Sequence, residues 1–262
     1  MNGKKVRINV LIGAKAEGRR FACLTAYDYP TGLIVDQAGV ELILVGDSLG
    51  NTVLGYEDTI PVTMEQMIHH AAAVRRGVKR ALLVADMPFM SYKVSVEQAL
   101  ENCGRLVQEG GAEAVKLEGC REVAPMIEAV VAVGIPVLGH LGLTPQSVHA
   151  LSGYRIQGRE KEAAQQLKAD ARRLQEIGCF GVVLELVTPA VAAEITADLQ
   201  IPTIGIGSGP SCDAQILVLA DLLGLGNKKP PSFVKQYANL YEQSVKAIES
   251  YAGEVRDSKF PQ

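Results

Sequence analysis

The chain has 262 residues, with 26 basic and 29 acidic side chains for a formal net charge of -3, and 48% of it is hydrophobic. That balance describes a globular protein long enough for one (β/α)8 barrel, which commonly takes about 250 residues. It argues against nucleic-acid binding, because the basic residues are dispersed apart from short pairs such as Arg75-Arg76 and Arg172-Arg173, and against a membrane helix, because no apolar run reaches roughly 18 residues.

A first helix is predicted over residues 6–17, then a strand over 21–28 and a helix ending near Gly39. The second strand is the run Glu41-Leu-Ile-Leu-Val-Gly-Asp47-Ser48. Thr63 caps a helix over 63–77 that ends in glycine, and residues 95–110 repeat the pattern. Between and after them lie the apolar runs Ala81-Leu-Leu-Val-Ala-Asp86, Ala114-Val-Lys116-Leu-Glu118-Gly119, Ile135-Pro-Val-Leu-Gly-His140 and Gly181-Val-Val-Leu-Glu185. Further helices are expected over 121–134, 160–178, 188–199 and 211–223. A seventh strand is expected at 201–207, an eighth around 222–225 to close a barrel, and a last helix at about 233–251. Short β-branched runs alternating with amphipathic segments read as buried parallel strands separated by helices. The expected fold is an α/β (β/α)8 TIM barrel forming a single domain over 1–262, with an extra N-terminal helix at about 6–17 and a C-terminal tail at about 252–262. Two long, glycine-containing connections, 50–61 and 142–159, follow strands two and five, where active-site lids belong.

The five cysteines, Cys23, Cys103, Cys120, Cys179 and Cys212, lack CxxC or zinc-site spacing and are expected to be free thiols in a reducing compartment. The first residues lack the apolar core of a secretory signal, so the expected location is cytoplasmic.

Each apolar run ends in a residue that carries chemistry, and a parallel barrel delivers the C-terminal ends of its strands to one rim. Asp47 and Asp86 end adjacent strands, where their hard oxygens suit one Mg²⁺ with positions left for water and a bidentate substrate. The alternative is a turn cap for Asp47, through Ser48, and a plain strand end for Asp86. Lys116 and Glu118 are two residues apart, so both face the barrel interior, as functional groups or as a structural ion pair. His140, between glycines at a strand end, suits donation to an anionic oxygen; a packed, hydrogen-bonded histidine has the same pattern. Glu185, beside an apolar wall, suits a general base. His69, His70 and His149 take the ordinary reading of helix and loop histidines. Gly205-Ile-Gly207-Ser208-Gly209, placed before a predicted helix, fits a phosphate site, a carboxylate site or a mere tight turn.

Taken together, Thr25-Ala-Tyr-Asp28, Val45-Gly-Asp-Ser-Leu-Gly50, Arg75-Arg-Gly77, Ala85-Asp-Met-Pro-Phe-Met90, Lys116-Leu-Glu-Gly119, Gly139-His-Leu-Gly-Leu-Thr-Pro-Gln146 and Ile204-Gly-Ile-Gly-Ser-Gly209 resemble the ketopantoate hydroxymethyltransferase family in order, from about residue 19 to 245. Leu186, Thr188, Cys120 and Ser208 depart mildly from its pattern. The resemblance implies transfer of a one-carbon unit from 5,10-methylenetetrahydrofolate to 3-methyl-2-oxobutanoate, giving 2-dehydropantoate on the route to pantothenate and coenzyme A. It implies Mg²⁺, one per subunit and replaceable by other divalent metals, at Asp47 and Asp86, with Glu118 acting through water. It also implies substrate contacts from Asp47, Ser48, Asp86, Lys116 and His140, with Glu185 as the base that removes the C3 proton. The expected partners are small-molecule substrates and further copies of the chain, as a homo-oligomer, by resemblance a homodecamer, with no nucleic acid or membrane.

Three rivals stay open at this level. A phosphoenolpyruvate mutase or isocitrate lyase relative shares the enolate logic but needs a nucleophilic cysteine motif that is not found here. Lys116 suits a Schiff-base aldolase lysine. A non-catalytic barrel that only binds its ligand is the third.

Overall fold

Eight parallel strands pair in chain order and close on themselves: β1 (Phe21–Thr25), β2 (Leu42–Val45), β3 (Leu82–Asp86), β4 (Ala114–Glu118), β5 (Val137–Gly142), β6 (Gly181–Glu185), β7 (Thr203–Ile206) and β8 (Ala214–Leu217). The structure, a computed structural model, describes residues 4–150, 153, 155–226 and 229–261. The helices are α1 (Ile8–Ala16), α2 (Tyr29–Gln37), α3 (Leu49–Thr52), α4 (Met64–Gly77), α5 (Val96–Gln108), α6 (Ala124–Ala132), α7 (Lys161–Glu176), α8 (Pro189–Asp198), α9 (Leu219–Leu223) and α10 (Leu240–Arg256). This is a TIM barrel, as the alternation of strand and helix patterns predicts.

Local chemistry sets the helix starts. The Asp28 carboxylate accepts from the Thr31 N–H at the head of α2, and the Thr63 hydroxyl accepts from the Gln66 N–H at the head of α4. In both, the third helical residue returns a bond to the cap, so two free N–H groups are satisfied reciprocally. Ser95 caps α5 in the same way through the Gln98 N–H, without the returning bond. The strands β2, β3 and β4 are buried along their whole length, as expected of strands covered by helices outside and packed residues inside.

The interior is layered. Leu42, Leu44, Leu82, Val84, Ala114, Leu138, Val183, Ile204 and Ala214 form one apolar cluster with Leu11 and Ala14 of α1. The Lys15 ammonium holds α1 in place through the Asp213 carboxylate at 2.8 Å and the Thr196 carbonyl at 2.7 Å. Side chains of a strand alternate, so the next inward positions after these apolar ones are Asp86, Lys116 and Glu118, His140 and Glu185. Gly139, between two inward positions of β5, lacks a side chain because a Cβ there would stand 2.7 Å from Leu174 of α7.

Three expected elements differ. The eighth strand is Ala214–Leu217, not 222–225, which falls in and just after α9; pairing of Ile204 with Ala214 and Gly205 with Gln215 draws residues 214–217 into the sheet, so there is no helix over 211–223. The Gly205–Gly209 turn therefore leads to a strand and is not the mouth of a helix. The last helix begins at Leu240, where the Asn239 side chain accepts from the Glu242 N–H, and runs to Arg256 into the predicted tail. The predicted loop 50–61 opens with the single turn of α3, and residues 151, 152 and 154 of the 142–159 loop lie outside the described residues.

Backbone contacts divide the chain into one unit over Met1–Ile216 and a second over Leu217–Gln262. The first contains the barrel with α1 to α8. Within the second, the Tyr237 N–H donates to the Leu222 carbonyl and the Tyr241 N–H to that of Gly224, joining α9 to the start of α10.

Candidate active site

The seven residues singled out from the sequence all lie on or just after β2 to β6, and six of them join one network. Asp47 follows β2, and its main-chain N–H donates to Asp86 Oδ2 at 3.1 Å, so the first acid is set by the second. The strand register places Asp86 beside Lys116 and Glu118 beside His140. Lys116 Nζ stands 2.9 Å from Asp86 Oδ1, 3.9 Å from Glu118 Oε1 and 3.0 Å from His140 Nδ1. His140 Nε2 in turn lies 3.2 Å from Glu185 Oε2, and Nδ1 lies 3.4 Å from Glu118 Oε1. Ser48 stands beside this line: a Cβ at Gly46 would meet Ser48 Oγ at 2.7 Å and Asp86 Oδ2 at 3.4 Å, and the Tyr27 hydroxyl lies 2.8 Å from Ser48 Oγ.

Burial sharpens every charge in the row. Asp47, Asp86, Lys116, Glu118 and His140 are buried, whereas the Glu185 side chain is 17% exposed. Glu185 is therefore the end of the chain of contacts that an incoming molecule reaches. Burial, then the Asp86 and Glu118 carboxylates, push Asp47 well above the usual carboxylate range. Asp86 is also raised by burial, with Lys116 pulling against it. Burial acts to raise Glu118 too, but His140 and Lys116 outweigh it and hold that acid low. Burial likewise opposes the Lys116 charge, yet Asp86, Glu118 and Asp47 overcome it, and the ammonium is held above the ordinary lysine value. Burial and Lys116 oppose protonation of His140, while hydrogen bonding to Glu118 and Glu185 raises its pKa above the ordinary imidazole value. A lysine ammonium has no acceptor, so in the neutral imidazole Nδ1 takes the Lys116 bond and the proton sits on Nε2, facing Glu185.

Two of the three rivals weaken on these observations. A Schiff-base lysine needs a depressed pKa to be a free amine near neutrality, and Lys116 is shifted the other way. All five cysteines are free and buried, and burial pushes the Cys103 and Cys179 thiols up to about 12, so neither supplies a reactive thiolate.

Three buried carboxylates, Asp47, Asp86 and Glu118, share one fixed ammonium. Asp86 Oδ1 and Glu118 Oε1 are buried acceptors without a well-aligned hydrogen bond. Excess negative charge, with hard oxygens whose hydrogen-bonding capacity is not filled, fits a divalent cation. Among the described residues, no three His, Cys, Asp or Glu side chains are spaced to hold a metal ion unaided. Asp47 and Asp86 follow or end the paired strands β2 and β3, so the candidate seat is these two carboxylates. Glu118 engages Oε2 with the Gln146 N–H at 3.1 Å, which suits contact with a cation through water.

Two turns aim these groups. Gly142, at φ +93°, carries the chain out of β5, and a Cβ there would lie 2.2 Å from the Glu185 carbonyl oxygen, so only glycine lets the two strand ends meet. Leu186, at φ +47°, turns the chain immediately after Glu185, a conformation that costs a non-glycine residue on the order of 1–3 kcal/mol.

The structure adds residues to which the motifs gave no role. Gln146 is buried among the acids, and the Tyr92 hydroxyl accepts from the Glu118 N–H at 3.1 Å. Gln146 closes the Gly139-His-Leu-Gly-Leu-Thr-Pro-Gln146 motif, whereas Tyr92 carries no sequence signal, because its contact crosses from one strand end to the next. His70 bonds the Tyr27 carbonyl at 2.6 Å and His149 is exposed, in keeping with their ordinary reading. Ser208 donates to the Leu184 carbonyl at 2.7 Å and accepts from the Val187 N–H at 2.9 Å, which ties β6 to β7 and gives the glycine turn a structural role.

A sequence model of the family described as ketopantoate hydroxymethyltransferase matches residues 5–262. The chain belongs to that family. A 3-methyl-2-oxobutanoate hydroxymethyltransferase of Moorella thermoacetica is 55% identical over 98% of this chain and 96% of its own, and one of Thermoanaerobacter sp. strain X514 is 55% identical over 98% and 94%. Membership makes the chain a hydroxymethyl-transferring enzyme and relates it to pantothenate biosynthesis. Among solved structures, a phosphonopyruvate hydrolase in complex with oxalate and Mg²⁺ aligns with a TM-score of 0.63 at 15% identity, over 97% of this chain and 88% of that one, a likeness of fold.

Proposed function

We propose that the rim of β2 to β6 deprotonates 3-methyl-2-oxobutanoate at C3 and joins that carbon to the one-carbon unit of 5,10-methylenetetrahydrofolate, giving 2-dehydropantoate. The observation that carries this is the unbroken row from Asp86 through Lys116 and His140 to Glu185, which sets positive donors between a cation seat and a carboxylate base. Abstraction of a proton beside a ketone needs stabilisation of the developing oxyanion on one side and a base on the other.

Asp47 and Asp86, with Glu118 through water, would hold Mg²⁺ or another divalent ion, one per subunit. Such an ion supplies stabilisation of negative charge on a ketone oxygen. Ser48, Lys116 and His140 bind the keto and carboxylate oxygens of the substrate by charge-assisted hydrogen bonds. Glu185 takes the C3 proton, and the electron pair of that C–H bond forms the new bond to the methylene carbon. One water balances the transfer: both carbon–nitrogen bonds of the methylene bridge break, tetrahydrofolate leaves with a proton gained on each nitrogen, and the water oxygen stays on the transferred carbon as its hydroxyl. Incubation of the protein with both substrates and Mg²⁺ is expected to yield 2-dehydropantoate, detected by mass spectrometry. EDTA is expected to stop it, and Asp86→Ala to need more Mg²⁺ for the same rate. Equal product with and without EDTA would remove the cation from the site.

We read the chain as cytoplasmic and as a homo-oligomer, a decamer by family resemblance. The described residues contain no helix long and apolar enough to cross a membrane. On α10, Tyr241, Val245, Ile248 and Val255 are exposed at the i, i+4, i+7 spacing of one helix face, which supports self-association. Light scattering is expected to give a mass near ten subunits; a monomer at micromolar concentration would rule the assembly out.

A further inference from the structure

We propose that Gln146 is a positioning residue whose side-chain amide fixes the Asp47 carboxylate for the cation and couples that seat to the loop after β5. The inference rests on the metal-assisted reading above and adds a residue to it.

Gln146 lies on the single 3₁₀ turn Pro145–Ser147, in the loop after β5, and is 2% exposed. Its Nε2 donates to Asp47 Oδ2 at 2.9 Å and to the Met87 carbonyl at 2.7 Å. The Oε1 atom accepts from the Tyr92 hydroxyl at 3.1 Å, and the main-chain N–H donates to Glu118 Oε2 at 3.1 Å. The Met87 carbonyl can only accept, as does the Asp47 carboxylate once ionised, so the NH₂ end must face Met87 and Asp47, and the amide has one orientation. Both its N–H bonds are then used, and the residue ties the ends of β2, β3 and β4 to one loop.

The choice of an amide has a chemical reason. A buried carboxylate oxygen needs a donor, and a lysine or arginine would supply one while cancelling the charge that attracts a cation. Glutamine satisfies Asp47 Oδ2 and leaves the negative charge in place. It also prevents Asp47 from rotating, so the carboxylate does not have to be ordered when the cation arrives. Gln146 has no contact with the Lys116, His140 and Glu185 end of the row among its hydrogen bonds, so it acts through Asp47.

Titration calorimetry with MgCl₂ tests this without turnover. Gln146→Met, close in shape but without donors, is expected to fold and to weaken Mg²⁺ binding about tenfold, as loss of an outer partner of a metal ligand does. Raising Mg²⁺ is expected to recover C3 proton exchange in that variant. Tyr92→Phe, which removes the donor to Oε1 and the acceptor of the Glu118 N–H but leaves the amide in place, is expected to weaken Mg²⁺ binding less, in the same direction. Wild-type Mg²⁺ affinity in folded Gln146→Met would overturn the assignment, as would exchange that no Mg²⁺ concentration recovers. Should Gln146→Met not fold, unchanged affinity in Tyr92→Phe would overturn it. If the wild-type protein itself takes up no Mg²⁺, the metal reading fails and this proposal falls with it, whereas binding by the wild type and an unaffected variant refutes the role of Gln146 alone.

Discussion

Glu185→Gln is expected to slow exchange of the C3 proton of 3-methyl-2-oxobutanoate by on the order of 10³-fold, the usual worth of a positioned general base. Binding of the keto acid should change little. Glutamine has the size of glutamate, and its amide oxygen can take the position of Glu185 Oε2, 3.2 Å from His140 Nε2. The imidazole and the Lys116 ammonium behind it therefore keep their places, and the loss falls on proton abstraction rather than on orientation. The competing base is His140, but its side chain is 3% exposed against 17% for Glu185, and both its nitrogens already face protein groups. Exchange measured by NMR in D₂O separates the two: a rate in Glu185→Gln near that of the parent would transfer the role to His140.

Lys116→Met is expected to damage stability as well as activity. The ammonium is the one side chain that meets Asp86 at 2.9 Å and also reaches Glu118 and His140, at 3.9 and 3.0 Å. Removing it leaves buried carboxylates uncompensated, a change that costs about 3–5 kcal/mol and lowers Tm by roughly 10 °C in a protein of this size. The pH dependence has a definite sign. Asp47 and Asp86 have folded-state pKa values above their ordinary ones, so their protonated forms contribute stability that is complete below the ordinary carboxylate range and is lost as pH rises through the raised values. The deficit of Lys116→Met in EDTA should therefore shrink on acidification and grow toward neutrality, and Mg²⁺ should reduce it at neutral pH. Calorimetric unfolding across that range checks all three. A Tm equal to that of the parent at neutral pH in EDTA would mean that the carboxylates are not held against one another as described. Borohydride treatment of the parent with the keto acid should leave Lys116 unlabelled, in keeping with its stabilised charge.

The strand ends were legible because two simple periodicities meet there. Alternation along Ala114 to Glu118 puts Lys116 and Glu118 on one face, and the register then sets Glu118 opposite His140 and Asp86 opposite Lys116. Seven strands were found in this way. The eighth was misplaced because Ala214–Leu217 is four residues long, with a pattern that a helix edge also satisfies, and pairing with β7 rather than local preference decides it. The sequence pattern places the start of α10 seven residues early, because the side chain that stops fraying is Asn239, not the residues after Pro231. Gln146 and Tyr92 were missed for a different reason. Their partners lie 59 and 99 residues away for Gln146, at Met87 and Asp47, and 26 residues away for Tyr92, at Glu118, distances over which no local pattern carries information. The family resemblance supplied the reaction, while the physical reading of the residues supplied the acid, lysine and histidine rim on which that reaction would run.

The most direct single measurement is ¹H NMR of 3-methyl-2-oxobutanoate in D₂O with the wild-type protein and Mg²⁺, without folate and then with tetrahydrofolate to complete the site. Loss of the C3 proton signal that EDTA stops and Mg²⁺ restores is the predicted result, since enolisation precedes carbon transfer. No loss of that signal under either condition, from protein that binds the keto acid, would contradict deprotonation at C3 and with it the role given to the Asp86, Lys116, His140 and Glu185 row.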